Sequence, residues 1–543
     1  MTGRLRALVT VATGLALMGG GALGDSRILW VGGVTDRLAN FRVECCLDAL
    51  VADTFILYRN SANPDAAGSM VLEIPVSKGI TAIDSAPLPN RLQPDTTYYY
   101  ALRATLASDP AYFGTFKTMP PAGQAANFSF AFASCATSGS NHEVFEDIAA
   151  VNPLFFLHMG DLFYADISEN DVEKYKAAYV ETWGSETQSK LYRSQAVVYM
   201  WDDHDFGPND SNGESASKAA AREAYRMFVP HHELAMNDGA NIDSAIHHAF
   251  TVGRVRFIVL DLRSESEDPT DAATWRHHGT YPSMLGRRQK EWLVEELQGH
   301  SQWGMMVMVS TKPWSGTDSE AGCCKWMNYA VEREEIANMI AAAGVTNLIA
   351  VAGDAHMLAY DDGSNTDYSS GAGSAGFPLF HSAPLDKEGS FKGGPFSEGC
   401  HTKDWTIPNQ VLKFVSLDLI KPTAHQFSTL SVDDQGDSVC ITAQGYEHAA
   451  DGAAQKIASK ELRLCTPFVR DGAPGAGECA QEADSDSART IAMGITALIL
   501  LLILGAIGIC VWSCCRKRAA AANGGAKEET GEHEGIAPSA ARQ

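Results

Sequence analysis

Three apolar runs in this chain each end abruptly in a carboxylate. Phe155-Phe156-Leu157-His158-Met159 runs into Gly160-Asp161, with Tyr164 one turn further on. Val197-Val198-Tyr199-Met200-Trp201 runs into Asp202-Asp203-His204-Asp205, and Leu348-Ile349-Ala350-Val351-Ala352 into Gly353-Asp354-Ala355-His356. Short apolar runs bounded by Gly or Asp read as buried strands, and polar residues just past the carboxyl ends of such strands are where α/β folds build their sites. Several carboxylates, two histidines and a phenol at one sheet edge repel each other unless cations join them, so the pattern predicts a metal cluster.

A fourth run, Phe128-Ser129-Phe130-Ala131-Phe132, leads into Ala133-Ser134-Cys135 and adds a thiol. A pair of metal ions favours hard oxygen ligands with one carboxylate shared between the two, and Asp161 is the candidate for that bridge. Tyr164 is close enough along the turn to reach the same ion. Thiolate and phenolate suit Fe3+, whereas carboxylates suit Ca2+; the donor types alone also allow Zn2+, Mn2+ or Mg2+.

The set Ala133-Ser134-Cys135, Gly160-Asp161-Leu162-Phe163-Tyr164, Trp201-Asp202-Asp203-His204-Asp205 with Asn209-Asp210, and Gly353-Asp354-Ala355-His356, in that order, resembles the PhoD-like alkaline phosphatases of the calcineurin-like metallophosphoesterase superfamily. Phe257-Ile258-Val259-Leu260-Asp261-Leu262-Arg263 and the loop Gly393–Gly399 add to the likeness, which runs from about Gly32 to Leu464. The resemblance implies hydrolysis of phosphate esters by metal-activated water at a mixed Fe3+ and Ca2+ site. It places Cys135 and Tyr164 toward iron, with Asp161, Asp202 or Asp203, and Asp354 shared with or given to calcium. His356 is a ligand or supports one. His204 serves as proton donor to the leaving group or as a phosphate contact, and Asn209 faces the phosphate. The family spacing favours Asp202 as the ligand, and the wider superfamily pattern favours Asp203.

Both ends carry secretory signals. Arg4 and Arg6 precede the apolar stretch Ala7 to Met18 and the small-residue pattern Ala22-Leu23-Gly24, a signal peptide over residues 1–24. Ile491 to Trp512 is uncharged and long enough at about 1.5 Å per residue to cross a bilayer core of ~30 Å. Arg516-Lys517-Arg518 follows and should stay cytoplasmic, giving a single-pass type I protein in a secretory-pathway or plasma membrane, its catalytic domain extracellular or lumenal. A net charge of −24 argues against nucleic acid as a main partner, since phosphate backbones are met by basic surfaces. Small phosphate esters are the expected partners. Of 12 cysteines, Cys45, Cys46, Cys323, Cys324, Cys400, Cys440, Cys465 and Cys479 form an even exported set that predicts disulfides, with Cys440 and Cys465 the pair that flanks one strand-rich segment.

The 543 residues exceed what a single core organises. Residues 25–121 alternate like strands and predict an immunoglobulin- or fibronectin-like β-sandwich. Pro120-Pro121-Ala122-Gly123 marks a linker. From residue 126 to 468 strands alternate with helices over Asn141–Val151, Asp171–Trp183, Ser215–Phe228, Leu285–Leu297 and Tyr329–Ala343, and the segment closes on a hairpin over Phe427–Val432 and Ser438–Ala443. The expected fold is therefore α/β, a metallophosphatase αββα sandwich behind an all-β domain. A flexible stalk (469–490), the transmembrane helix (491–512) and a cytoplasmic tail (513–543) complete the chain.

Each site residue has a structural alternative. Cys135 suits a disulfide or a buried thiol, Tyr164 a packed ring, and one of Asp202 and Asp203 a helix cap. His158 is expected in the core, and His231-His232, His247-His248 and His277-His278 lack carboxylate neighbours. Asn209-Asp210-Ser211 is formally a glycosylation sequon, expected unmodified, and Asn127-Phe128-Ser129 is the expected acceptor. The inserts around Cys323-Cys324 and over Asp361–Gly376 are expected near the mouth of the site. The leading functional reading is a membrane-anchored alkaline phosphatase acting on phosphate monoesters. A phosphodiesterase of the same fold, or a catalytically inactive cell-surface adhesion or receptor protein, are the alternatives.

Overall fold

The computed structural model describes residues 28–468 except 46–52, 60–62, 67, 77–78, 85–91, 109–112, 237–243, 317–324, 390–394, 402–422, 450–451 and 453. The expected signal peptide, stalk, transmembrane run and tail lie outside these residues, as do Cys46, Cys323, Cys324 and Cys479. Among the described residues no helix is long and apolar enough to cross a membrane. The chain divides into two compact units, and every described residue belongs to the unit formed by 1–405 and 419–480.

Two sheets dominate. One has nine strands in the order Ala454–Cys465, Val439–His448, Gln426–Asp434, Phe128–Ala133, Phe155–Met159, Ala196–Met200, Leu29–Gly32, Asn40–Cys45 and Gly79–Asp84. The other has seven, in the order His248–Val252, Val255–Val259, Met305–Ser310, Leu348–Ala352, Leu379–Ser382, Leu358–Asp361 and Cys400–His401. They meet face to face through aromatic rings: Phe130 and Phe155 pack on Phe257 at 5.3 and 5.5 Å between centroids. All of these rings are buried, and each buried aromatic removes about 150–250 Å2 of surface from water. The seven-stranded sheet buries its other face under the helices Gly286–Gln298 and Ala330–Ala343 through Leu293, Leu297, Ile336 and Ile340.

The parallel strands at the centre of each sheet read as continuous apolar runs because both of their faces are covered. Phe155–Met159 and Ala196–Met200 pair in parallel with Leu157 opposite Val198, and Met305–Ser310 pairs with Leu348–Ala352 with Met308 opposite Ala350. The helices expected from sequence form over Val144–Ala150, Val172–Gly184, Lys218–Phe228, Gly286–Gln298 and Ala330–Ala343, within a few residues of their anticipated ends. Asp171 caps the second of them by accepting from the Glu173 amide. A further helix, Glu186–Ser194, was not anticipated: its apolar content is low, and Ser185 starts it as N-cap on the Gln188 amide. The closing hairpin is present, and Cys440 and Cys465 stand opposite each other on its neighbouring strands, joined by the expected disulfide. Cys400 is also disulfide-bonded.

The amino-terminal strands depart from the independent sandwich expected over 25–121. Met70–Val76, Asp53–Arg59, Thr97–Leu102 and Gly114–Lys117 form a four-stranded sheet of their own. Leu29–Gly32, Asn40–Cys45 and Gly79–Asp84 instead continue the nine-stranded sheet, because Leu29–Gly32 lies parallel to Ala196–Met200. Trp30 explains the attachment: it is fully buried, its indole N–H donates to the Phe228 carbonyl at 2.9 Å, and its ring meets Trp183 at 4.4 Å. The two β layers still face each other, with Phe41 packed on Phe55, Tyr100 and Phe116 at 5.0, 5.2 and 5.7 Å. The insert Asp361–Gly376 docks on the Ala330–Ala343 helix, where Asn338 Oδ1 accepts from the Ser370 and Gly371 amides and the Arg333 guanidinium lies 3.6 Å from the Tyr368 ring centroid.

Phe41 is thus a keystone between the nine-stranded sheet and the small sheet. Phe41→Ala is expected to destabilise the protein by about 3–5 kcal/mol, the usual cost of emptying a buried aromatic site. Urea unfolding followed by tryptophan fluorescence checks this, and an unchanged midpoint would show that the two sheets do not depend on that contact.

Candidate metal centre

Six parallel strands, three from each sheet, deliver side chains to one place at their carboxyl ends. Phe128–Ala133 leads to Cys135, Phe155–Met159 to Asp161, and Ala196–Met200 to Asp202 and Asp203. From the other sheet Val255–Val259 leads to Arg263, Met305–Ser310 to Thr311 and Lys312, and Leu348–Ala352 to Asp354 and His356. The strand ends approach so closely that glycine is required. A Cβ on Gly160, whose φ is +92°, would lie 2.4 Å from Asp202 Cβ, and one on Gly353 would lie 2.6 Å from Ser134 Oγ.

Two groups of donors result. Cys135, Asp161 and His356 each offer a ligand atom within 4.8 Å of the other two, and so do Asp161, Asp203 and His204. Asp161 belongs to both. The Tyr164 hydroxyl donates to Asp161 Oδ2 at 2.9 Å and lies 3.3 Å from His356 Nε2, which puts it within the first group. His356 Nδ1 sits 2.6 Å from the Glu388 carbonyl, a contact that fixes its proton there and leaves Nε2 facing the group. His204 Nδ1 is likewise held by Asp166 Oδ1 at 2.7 Å, and its ring lies 4.0 Å from that of Tyr164.

The Asp202-Asp203 pair divides its duties. Asp202 Oδ1 receives Arg263 Nε at 2.6 Å and the Thr311 hydroxyl at 3.0 Å, while Asp203 joins the second donor group and accepts the Asp210 amide at 2.6 Å. Arg263 reaches both, its other nitrogen standing 3.1 Å from Asp203 Oδ1. Asp205 is internal bracing: it accepts from the Leu162 and Asp202 amides at 2.9 and 2.6 Å and from the Tyr199 hydroxyl at 2.6 Å. Asp354 lies outside both groups, yet its charge acts on Cys135, Asp161 and Arg263. Asn209 is exposed and bonds Asp210 at 2.8 Å; no described contact joins it to the donor groups. Cys135 is a buried thiol in no disulfide, 3.1 Å from Ser134 Oγ. His158 is fully buried in the core, where desolvation pushes its pKa down to about 3.

The donors fit cations. Burial, then the neighbouring Asp203 carboxylate, pushes Asp161 up to about 8. Burial and the Asp161 charge push both the Cys135 thiol and the Tyr164 phenol well above their ordinary ranges. Asp161 Oδ1 and Asp202 Oδ2 are buried with no hydrogen-bond partner among the described residues. A carboxylate, thiolate and phenolate so placed ionise together only against positive charge, which a bound cation provides. Arg263 and Lys312, both buried, outweigh the burial of Asp203 and hold that carboxyl below its usual range.

Backbone strain gathers here as well. Among the described residues eight non-glycine positions have positive φ, and Cys135, Asp161, Asp166, Asp210, Asp354 and His356 are six of them, at 48° to 70°. Each costs on the order of 1–3 kcal/mol and persists only where its surroundings over-determine it.

The PhoD-like phosphatase family matches residues 130–418. The chain belongs to that family. It is a metal-dependent phosphoesterase. Among solved structures, PhoD superposes with a TM-score of 0.55 at 17% sequence identity, over 79% of this chain and 91% of that one. A purple acid phosphatase from yellow lupin (Lupinus luteus) seeds aligns with a TM-score of 0.45 at 13% identity, over 81% of this chain and 73% of that one. No curated protein matches the sequence.

Arg263, Lys312, Thr311 and the Asp386–Glu388 segment are site residues that the sequence reading did not assign. Arg263 was visible in the run ending Asp261-Leu262-Arg263, but its pairing with Asp202 spans the two sheets. Arg263→Met should leave Asp202 buried and unpaired and cost roughly 3–5 kcal/mol of stability. Adding Asp202→Asn should recover part of that loss in denaturant unfolding; no recovery would place the effect of Arg263 elsewhere.

Proposed function

We propose that the protein hydrolyses phosphate monoesters at an Fe3+ and Ca2+ pair. What carries the reading is the pair of donor groups that share Asp161. Cys135, Tyr164, His356 and Asp161 would hold the iron, matching soft and phenolic donors to a trivalent ion. Asp161 and Asp203, with the nearby Asp354, would take the calcium. When bound, the cations supply the positive charge that polarises the phosphoryl group and activates water.

The chain's own residues do the rest. Asp161 sets the spacing of the two groups. Arg263 and Lys312 keep Asp203 ionised, and Arg263 also fixes the direction of Asp202. His204 lies beside the second group with Asp166 holding its Nδ1, so Nε2 is the nitrogen available to contact phosphate or to pass a proton to the leaving oxygen. Burial works to lower the His204 pKa, but the charges of Asp161, Asp203 and Asp166 outweigh it and raise it. Lys387 Nζ stands 3.5 Å from the Tyr164 ring centroid and adds a cation to an otherwise acidic rim. The adhesion-only alternative fits poorly with a chain that keeps every donor of the cluster in place.

Asp161→Asn removes charge from both groups at once. Hydrolysis of a phosphate monoester is expected to fall at least roughly a hundredfold, equivalent to about 2.7 kcal/mol of transition-state stabilisation. Elemental analysis of the active wild-type protein should find iron and calcium. Near-normal turnover in Asp161→Asn would overturn the bridge, and active protein holding only zinc or magnesium would overturn the metal assignment.

The same proposal places the catalytic part on the extracellular or lumenal side of a membrane, anchored by Ile491 to Trp512, with Arg516-Lys517-Arg518 in the cytoplasm. Protease added outside sealed cells or vesicles of matching orientation should release phosphatase activity. Protection of the whole chain would refute that orientation.

A further inference from the structure

Beside the Cys135 loop the fold gathers a second set of donors that phosphoester hydrolysis does not use. His142 precedes the Val144–Ala150 helix, Glu143 is the N-cap of that helix, and His448 ends the Val439–His448 strand. One ligand atom from each lies within 4.8 Å of the other two. Their side chains are 22%, 61% and 12% exposed, so an ion can enter from solvent. A third imidazole, His425, stacks on His142 with 3.4 Å between ring centroids, and His448 stands edge-on to His142 at 4.9 Å.

Packing alone is a weak reason to bring three imidazoles and a carboxylate together at a surface, because the rings repel as soon as they protonate. The supporting contacts also resemble those of metal sites. His448 Nδ1 stands 2.6 Å from Asp147 Oδ2, the carboxylate–histidine arrangement that orients a metal ligand. His425 Nδ1 is 3.3 Å from Asp386 Oδ1.

We propose that His142, Glu143 and His448 bind one divalent transition cation of the zinc class, separate from the phosphoesterase cluster. Two imidazoles and one carboxylate, with a fourth position left for water, suit such an ion better than calcium or magnesium, which prefer all-oxygen shells. His142 Nδ1 accepts from the Val144 amide at 3.1 Å, and its Nε2 is 3.9 Å from Glu143 Oε2. Coordination through Nε2 moves the ring proton to Nδ1 and gives the Val144 amide, a first-turn helix donor, to water.

The site is joined to the reaction centre through three consecutive residues. Asp386 donates its amide to the Cys135 carbonyl at 3.2 Å and pairs with His425; Lys387 lies over Tyr164; the Glu388 carbonyl holds His356. A cation at His142, Glu143 and His448 therefore stiffens the ground on which three residues of the catalytic cluster stand.

The test uses the full chain. Equilibrium dialysis against Zn2+, followed by elemental analysis, should show one zinc beyond the cations of the phosphoesterase cluster. The double variant His142→Ala, His448→Ala should lose that equivalent and keep the iron and calcium contents of the wild type. Glu143→Gln, an exposed change that leaves packing intact, should weaken the extra zinc at least roughly tenfold and decides the matter if the double variant fails to fold. Equal zinc uptake by wild type and Glu143→Gln would overturn the proposal. So would extra zinc that appears only as iron or calcium is displaced, since that zinc would sit in the catalytic cluster.

Discussion

The carboxylate of Asp161 is the interaction on which the centre depends, because it alone belongs to both donor groups. Its position is costly. The residue is buried, its φ is +53°, and its neighbours are acidic. Each cost is met by a different layer of the fold: Gly160 lets the turn pass against Asp202, Tyr164 donates a hydrogen bond from three residues on, and the Asp161 carbonyl accepts the Ala136 amide at 2.9 Å. A buried carboxylate in such a setting is stable in its charged form only with cations, so metal binding and the local backbone conformation support each other.

Charge balance explains the division of labour between adjacent aspartates. Arg263 is fully buried and cannot be left unpaired, so one carboxylate of the Asp202-Asp203 pair must serve it continuously. Asp202, at the cap of the short Asp203–Phe206 helix, has the Arg263 and Thr311 contacts, which frees Asp203 to face Asp161 and His204. Asp261 in turn holds the Arg263 and Ser264 amides at 3.1 and 3.0 Å and receives the Trp201 indole at 3.0 Å, so the run before Arg263 aims the guanidinium. The two sheets are thus tied at their catalytic edge by an ion pair and along their faces by phenylalanine rings.

Much of this was legible in the residues. Cys135, Asp161, Tyr164 and His356 follow strands whose apolar runs are unmistakable, and strand ends converge in α/β folds whatever their sequence separation. The different partners of Asp202 and Asp203 were not legible, because they are set by an arginine on the other sheet. The resemblance implies that Asn209 faces the phosphate; in the fold the turn at Asp210, with φ of +59°, presents the backbone amide to Asp203, and the Asn209 side chain is exposed. The amino-terminal strands look self-contained by alternation, which reports which face of a strand is buried and says nothing about which edge it pairs with. The Asp386–Glu388 segment carries no motif at all, and two of its three contacts with the centre are made by backbone atoms, which any residue supplies.

That segment shows why the donor groups cannot be understood apart from what lies behind them. Cys135 and His356 both hold left-handed backbone conformations that residues other than glycine adopt uncommonly, and neither has a glycine's freedom to relax. What keeps them there lies behind them: the Asp386 amide on the Cys135 carbonyl and the Glu388 carbonyl on the His356 ring. Lys387–Glu388 is itself a strand of only two residues, paired with Thr423–Ala424. So short a ladder has little stability of its own, and it takes its rigidity from Asp386, whose side chain accepts the Ser140 hydroxyl at 2.5 Å and pairs with His425. The geometry of the Cys135 and His356 donors is therefore set partly at the histidine cluster, where His142, seven residues after Cys135, meets His425 and His448 from the far end of the fold.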